Sequence, residues 1–186
     1  KRALRPEASF DLLYLDECEV HLHPTLTKVW TFRGVRPVVP AAGTNRRLCV
    51  YGALNYRTGK SYYMVHPKKN AQQFFGLIQK SGVNKVLDTR LNNVSQLAGF
   101  TKKDDLAFFL EKVAGVSYDH ALKLAPTGDI LKSYKKGEIS WDTYANAYND
   151  LIDKRHVEEL FPADMLDGAC LLCSEATPHH CHRRLA

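Results

Sequence analysis

A run near the start, LLYLDECEVHL over residues 12–22, constrains the fold most. Successive side chains of a strand point to opposite faces. One face then carries Leu12, Tyr14, Asp16, Cys18, Val20 and Leu22; the other carries Leu13, Leu15, Glu17, Glu19, His21 and His23. The second face turns polar halfway along, as in a strand leaving a core. The first is apolar except for Asp16. A carboxylate buried without a partner is costly. Asp16 therefore implies a metal ion, a basic partner or a water-filled cleft at the edge of a sheet, or else an edge strand with the acid in solvent.

The rest of the first third is also extended. Pro24 ends the strand, and residues 28–32 lead to a turn at Gly34. Pro37 and Pro40 suit an irregular connection rather than a central strand. Residues 47–56 and 61–65, around Arg57-Thr58-Gly59, read as a hairpin. Beyond it the pattern turns helical around two strands. Asn70 caps a helix with Phe74, Phe75, Leu77 and Ile78 on one side and Gly82 past its end. Residues 85–87 form a short strand ending at Asp88. Thr101 to Asp104 resemble a capping box, opening a helix that Gly115 stops. Residues 127–136 form a shorter helix. Ser140 caps the most regular one, with Trp141, Tyr144, Tyr148, Leu151 and Ile152 in helical period. Residues 169–173 are an apolar strand, and Thr177-Pro178 opens a last helix with Pro at its favoured position. The pattern is α/β.

The net charge of +6 is unevenly spread. Residues 1–69 hold 12 Lys/Arg and 5 Asp/Glu, a surplus of +7; residues 70–186 hold 14 and 15, a balance of −1. Phosphate contact is therefore suited to the first third alone. No apolar run reaches the ~18 residues of a membrane span, and no signal peptide is expected. Five cysteines, an odd number, then point to reduced thiols and a cytoplasmic setting. The chain begins with Lys1, so its natural start is expected upstream.

LLYLDECEVHLHPTLTKVWTFRGVRPVVP, followed by RRLCVYGALNYRTGKSYYMVHPKKNA, resembles bacterial insertion-sequence transposases of the mariner superfamily, in the insertion sequence 630 branch. The resemblance covers about residues 1–75. It implies an RNase-H-like fold in which three carboxylates hold two Mg²⁺ or Mn²⁺ ions for DNA cleavage and transfer. It places the first, a catalytic and metal-binding acid, at Asp16. Paired ions ~3.5–4 Å apart clamp the attacking and leaving oxygens of such a reaction, and one aspartate cannot hold both. The second acid is expected at Asp88, which ends the next strand. There the family's Asp-Asn pair is replaced by Asp88-Thr89, no His follows nearby, and the third acid has no counterpart. The set is incomplete, and an inactive transposase derivative is expected. DNA is the implied partner, with Arg33, Arg36, Arg46 and Arg47 as contact candidates.

From about Lys69 onward, GVNKVLDTRLNNVSQLAGFTKKDDLAFFL, LAPT, KKGEISWDTY and LDGACLLCSEATPHHCHRRLA resemble a different family, an uncharacterised bacterial domain (domain of unknown function 488). Its signature residues here are Asp88, Arg90, Cys173, Glu175, Cys181, His182 and Arg183. Its first strand is missing. The chain thus reads as a fusion of a truncated transposase fragment, 1–68, and an α/β domain, 69–186. The first part is RNase-H-like and the second Rossmann-like. Strand 61–65 is expected to replace the lost strand, joined by helix 70–81 to strand 84–88 as a right-handed crossover in one mixed sheet.

The C-terminal residues allow several chemistries. Cys170-x₂-Cys173 followed by Cys181-His182 has zinc-like spacing. On a strand, however, positions i and i+3 face opposite ways, so a knuckle is not expected there. Cys173 and Glu175 fall at a strand's C-terminal end, where open α/β sheets bind ligands. Cys181 and Arg183 fall at the expected helix start, which favours anions. A pocket of Asp88, Arg90, Cys173, Glu175, Cys181, His182 and Arg183 would suit a small-molecule or thiol-dependent enzyme, or an anion-binding domain. Alternatively, Asp88 and Arg90 form an ion pair joining strand ends, Cys170 and Cys173 are packing residues, and the chain is a fusion remnant without activity.

Overall fold

The computed structural model describes residues 11–21, 30–38, 43, 46–68, 70–94, 102–175 and 178–186. Six strands form one mixed sheet: β1 (Leu13–His21), β2 (Arg47–Asn55), β3 (Ser61–His66), β4 (Lys85–Asp88), β5 (Ser117–His120) and β6 (Ala169–Leu172). Their spatial order is β3-β2-β1-β6-β4-β5. The pairs β1–β2 and β2–β3 are antiparallel; β1–β6, β6–β4 and β4–β5 are parallel. The single mixed sheet expected of the fusion is therefore present.

The strand pattern explains this order. Every residue of β6 is buried, which requires cover on both faces and a neighbour on each side. Leu13 and Leu15 of β1 are buried and supply one neighbour. β3 alternates exposed and half-buried residues, as an edge strand does. The expected replacement of the lost strand by residues 61–65 is corrected here: β1 occupies the place beside β6, and β3 lies at the far edge. β5 escaped the sequence reading because its SYDH carries little apolar signal. It is held by in-register pairing to β4, from Lys85↔Ser117 to Asp88↔His120.

One face of the sheet carries α1 (Ala71–Ser81) and α2 (Lys103–Phe109). Asn70 caps α1 by accepting the Gln73 N–H at 3.1 Å, and Gly82 ends it at φ 72°. Phe74, Phe75, Leu77 and Ile78 of α1 pack with Leu13, Leu15, Tyr51, Val86, Leu106, Cys170 and Leu172. Burying one such side chain contributes ~1.5–3 kcal/mol. The buried Tyr51 hydroxyl also accepts from Asn70 N at 3.0 Å, tying β2 to the start of α1. The other face packs Leu12, Leu87, Ala121, Leu124, Ala169 and Leu171, alongside α3 (Gly128–Lys135), α4 (Trp141–Lys154), α5 (Val157–Leu160) and α6 (Ala163–Leu166).

Two further expectations differ from the fold. Residues 30–32 form no strand, and residues 28, 29 and Thr101 lie outside the described residues. The C-terminal segment is not an α-helix. It makes two 3₁₀ turns, 178–180 and 182–184, separated by Cys181 in an extended conformation (φ −109°, ψ 129°). That break lets His182 and Arg183 turn inward, where only 1% and 4% of each is exposed.

Candidate functional site at the strand ends

β6 and β4 end side by side at Leu172 and Asp88 while β1 runs on to His21, so the segments after β4 and β6 share one rim. Asp88, the last residue of β4, is fully buried. It accepts Arg90 Nε at 2.8 Å, Arg90 Nη2 at 2.7 Å, the Arg90 backbone N–H at 3.1 Å, Asn93 Nδ2 at 3.3 Å and the Tyr118 hydroxyl at 2.7 Å. Burial alone would raise the carboxyl's pKa, but the bonds from Arg90 and Tyr118 outweigh it and hold Asp88 below its usual range. Burial and the bond to Asp88 push the Tyr118 phenol upward. Asp88 thus fixes the segment after β4 through a bidentate arginine and ties it to β5 through Tyr118.

Asp16 is half-buried on β1, and its Oδ1 accepts the Glu17 N–H at 2.8 Å. The structure does not bring Asp16 and Asp88 together. β6 lies between their strands, a separation of about two inter-strand spacings, or ~10 Å. Asp88 pairs with Leu172, which packs on the same face as Leu15. Alternation therefore sets Asp16 on the opposite face. Glu17, the other nearby acid, is exposed. DDE-type endonucleases generally use divalent metals, and Mg²⁺ needs several oxygen ligands. Among the described residues Asp16 belongs to no group of three or more His, Cys, Asp or Glu ligand atoms. The residues present do not fit the paired-ion site that the resemblance implies.

Arg33, Arg36, Arg46 and Arg47 are all exposed. Arg47 Nη1 lies 3.5 Å from Glu19 Oε2. Arg33 and Arg36 stand in an irregular segment with the exposed Trp30 and Phe32.

Four of the C-terminal signature residues converge. Cys173 Sγ is 3.7 Å from His182 Nδ1, His182 Nδ1 is 3.3 Å from Glu175 Oε1, and Cys181 Sγ is 3.8 Å from Glu175 Oε2. One ligand atom from each of the four lies within 4.8 Å of every other, the one such group among the described residues. Burial raises the Glu175 carboxyl, but the His182 bond and charge, with Arg183, bring it below its ordinary value. Cys170 takes no part. It packs in the core, and burial pushes its thiol up to about 12, as suits an inert packing residue. The opposite facing expected of Cys170 and Cys173 is what the strand shows.

Arg183 does not point to an anion pocket. Its Nη1 donates to Leu15 O at 2.8 Å and Leu171 O at 3.1 Å, and its Nε lies 3.0 Å from Cys181 Sγ. It spans the seam between β1 and β6. Tyr14 adds a bond from its hydroxyl to Arg183 O at 3.3 Å.

Sequence reasoning missed Thr89, which holds His182 Nε2 through its backbone oxygen at 3.2 Å and Oγ1 at 3.1 Å. It also missed Tyr148, whose ring lies 5.5 Å from that of His182. Their only signals were a polar residue after a buried strand and an aromatic stripe along α4, and both also describe ordinary packing. A small cavity of about 50 Å³ opens beside the four residues, lined in part by Arg90, Lys135, Cys173, Glu175 and His182.

Residues 70–186 match the family described as Domain of unknown function DUF488. The chain belongs to the domain of unknown function 488 family. Residues 11–93 match the DDE superfamily endonuclease family, so the two matches overlap across α1 and β4. The chain is a two-part chimaera, with transposase-like ancestry in its DDE part. No curated protein and no solved structure matches it. No helix among the described residues is long and apolar enough to cross a membrane. The domain of unknown function 488 match contains all four converging residues, whereas Asp16 lies in the DDE match alone.

Proposed function

We propose that this chimaera works as a thiol-dependent enzyme on a small anionic substrate. Its site is the rim of β4 and β6, and β1–β3 serve as scaffold rather than as a nuclease. One observation carries this reading: Cys173 Sγ stands 3.7 Å from His182 Nδ1, while Thr89 holds the opposite ring nitrogen. A nucleophile, a base and a group that orients the base are the parts of an activated thiol. Cys173 and His182 both line the small cavity, and Arg90 and Lys135 are the cations in its lining. Cations there favour a carboxylate or phosphate group.

Cys18 is exposed on β1 and provides an internal reference thiol. In chelator-treated protein, iodoacetate should alkylate Cys173 faster than Cys18, and His182→Gln should remove the difference, as read by peptide mass spectrometry. Cys173 reacting no faster than Cys18 would end this reading.

The nuclease reading rests on Asp16. Among the described residues Asp16 joins no group of three metal-ligating side chains, which argues against cleavage by this chain. DNA nicking with Mg²⁺ or Mn²⁺ should be the same for the native chain and Asp16→Ala. Nicking that depends on Asp16 would restore the nuclease. DNA affinity, carried by the exposed Arg33, Arg36, Arg46 and Arg47, should fall steeply with salt.

A further inference from the structure

We propose that Cys173, Glu175, Cys181 and His182 form a binding site for one zinc-class divalent cation. This goes beyond the thiol reading, because the metal would occupy the atoms that make Cys173 reactive.

Geometry is the first argument. A tetrahedral ion with bonds of about 2.3 Å to sulfur and about 2.1 Å to nitrogen and oxygen has ligand–ligand edges of roughly 3.4–3.8 Å. Cys173 Sγ stands 3.7 Å from His182 Nδ1, and that nitrogen 3.3 Å from Glu175 Oε1; Cys181 Sγ stands 3.8 Å from the other carboxylate oxygen, Oε2, and one ligand atom from each of the four lies within 4.8 Å of the rest. The four groups already stand about one ion apart.

The second argument is the histidine tautomer. Thr89 O can only accept, and Thr89 Oγ1 donates to Leu172 O at 2.9 Å, so both present lone pairs to His182 Nε2. The proton is therefore on Nε2. In the neutral ring this leaves a lone pair on Nδ1, facing Glu175 Oε1 and Cys173 Sγ. A lone pair against a carboxylate needs a cation between them. A second proton on the ring would satisfy that one line, but it does not account for the convergence of both cysteines. A metal ion accounts for all four groups, and a carbonyl on the far nitrogen is the usual support for a metal-bound histidine.

Charge is the third. Two thiolates and one carboxylate around a divalent ion leave one negative charge. Arg183 is buried and directs Nε at Cys181 Sγ from 3.0 Å. Its positive charge balances the site, and a thiolate accepts that bond far better than a thiol. On binding, each cysteine loses its thiol proton to solvent, so two protons leave as one ion enters. Thiolate and imidazole ligands select zinc over magnesium.

Cobalt(II) is the probe, added to reduced, chelator-stripped full-length chain. One equivalent should produce strong visible d–d bands and a near-ultraviolet sulfur-to-cobalt band, and zinc should then displace it. Cys181→Ser and Cys173→Ser should weaken the charge-transfer band, and Thr89→Val should weaken zinc binding ~10–100-fold. The double variant His179→Asn/His180→Asn changes only exposed residues and should keep the bands. Absence of the sulfur-to-cobalt band in the native chain would overturn the site. That test needs no variant to fold. Fast Cys173 alkylation without the band would remove the metal and keep the thiol enzyme. The band together with an unreactive Cys173 in stripped protein would keep the metal and remove the thiol enzyme.

Discussion

Asp88 and Asp16 are both strand aspartates, and their surroundings separate them. Asp88 has no exposed surface and accepts from Arg90, Asn93 and Tyr118. Replacing it with alanine would leave the half-buried Arg90 without its carboxylate, at a cost of ~3–5 kcal/mol. Urea unfolding of Asp88→Ala against the native chain measures this. The pH dependence follows from the sign of the shift. The folded pKa is below the unfolded value of 3.8, so the stabilisation is complete above about pH 4 and is lost as pH falls through the folded pKa. Unfolding free energy should decline with acid in the native chain, and Asp88→Asn should lack this carboxylate's share of the decline. Asp16 keeps solvent access, so Asp16→Ala should change stability by less than about 0.5 kcal/mol.

At the scale of elements, α1 and the β1–β6 seam are the informative parts. Asn70→Ala removes the cap on Gln73 N and should cost about 1 kcal/mol. Gly82→Ala should cost ~1–2 kcal/mol. A Cβ there meets no atom within 4 Å, so the whole loss is the strain of φ 72°. Thermal unfolding of the two variants, alone and combined, separates cap from strain. At the seam, Arg183 donates to a carbonyl of β1 and a carbonyl of β6. Arg183→Met keeps much of the packing and removes those bonds, and should destabilise by about 3 kcal/mol. Amide exchange should then rise first along Leu13 to Leu15, where β1 meets β6.

The whole molecule is a hybrid sheet. β1–β3 lie within the DDE match, and β5 and β6 within the domain of unknown function 488 match. β6 pairs with β1 on one side and β4 on the other. Deleting residues 1–68 would strip β6 of a neighbour and uncover Phe74, Ile78, Cys170 and Leu172, which pack beneath Leu13, Leu15 and Tyr51. The shortened chain should lose its cooperative unfolding transition and self-associate, as circular dichroism and gel filtration would show. An unpaired, apolar strand edge is an aggregation site. A fragment that folds and stays monomeric would mean that the DDE strands are not structural.

Local order was legible in the sequence because local rules specify it. Alternation marked β1 and the hairpin, Asn70 and Gly82 bounded α1, and Ser140 with its aromatic stripe marked α4. The C-terminal turns were not, because Thr177-Pro178 is a good helix start that tertiary bonds to His182 and Arg183 overrode. Sequence alone determined which residues alternate, cap and stop. Only the folded chain decided that β6 lies between Asp16 and Asp88, that those acids face apart, and that Cys173, Glu175, Cys181 and His182 meet. Those are matters of strand order and chain reversal, and pairing between segments far apart in sequence leaves no periodic mark on either segment.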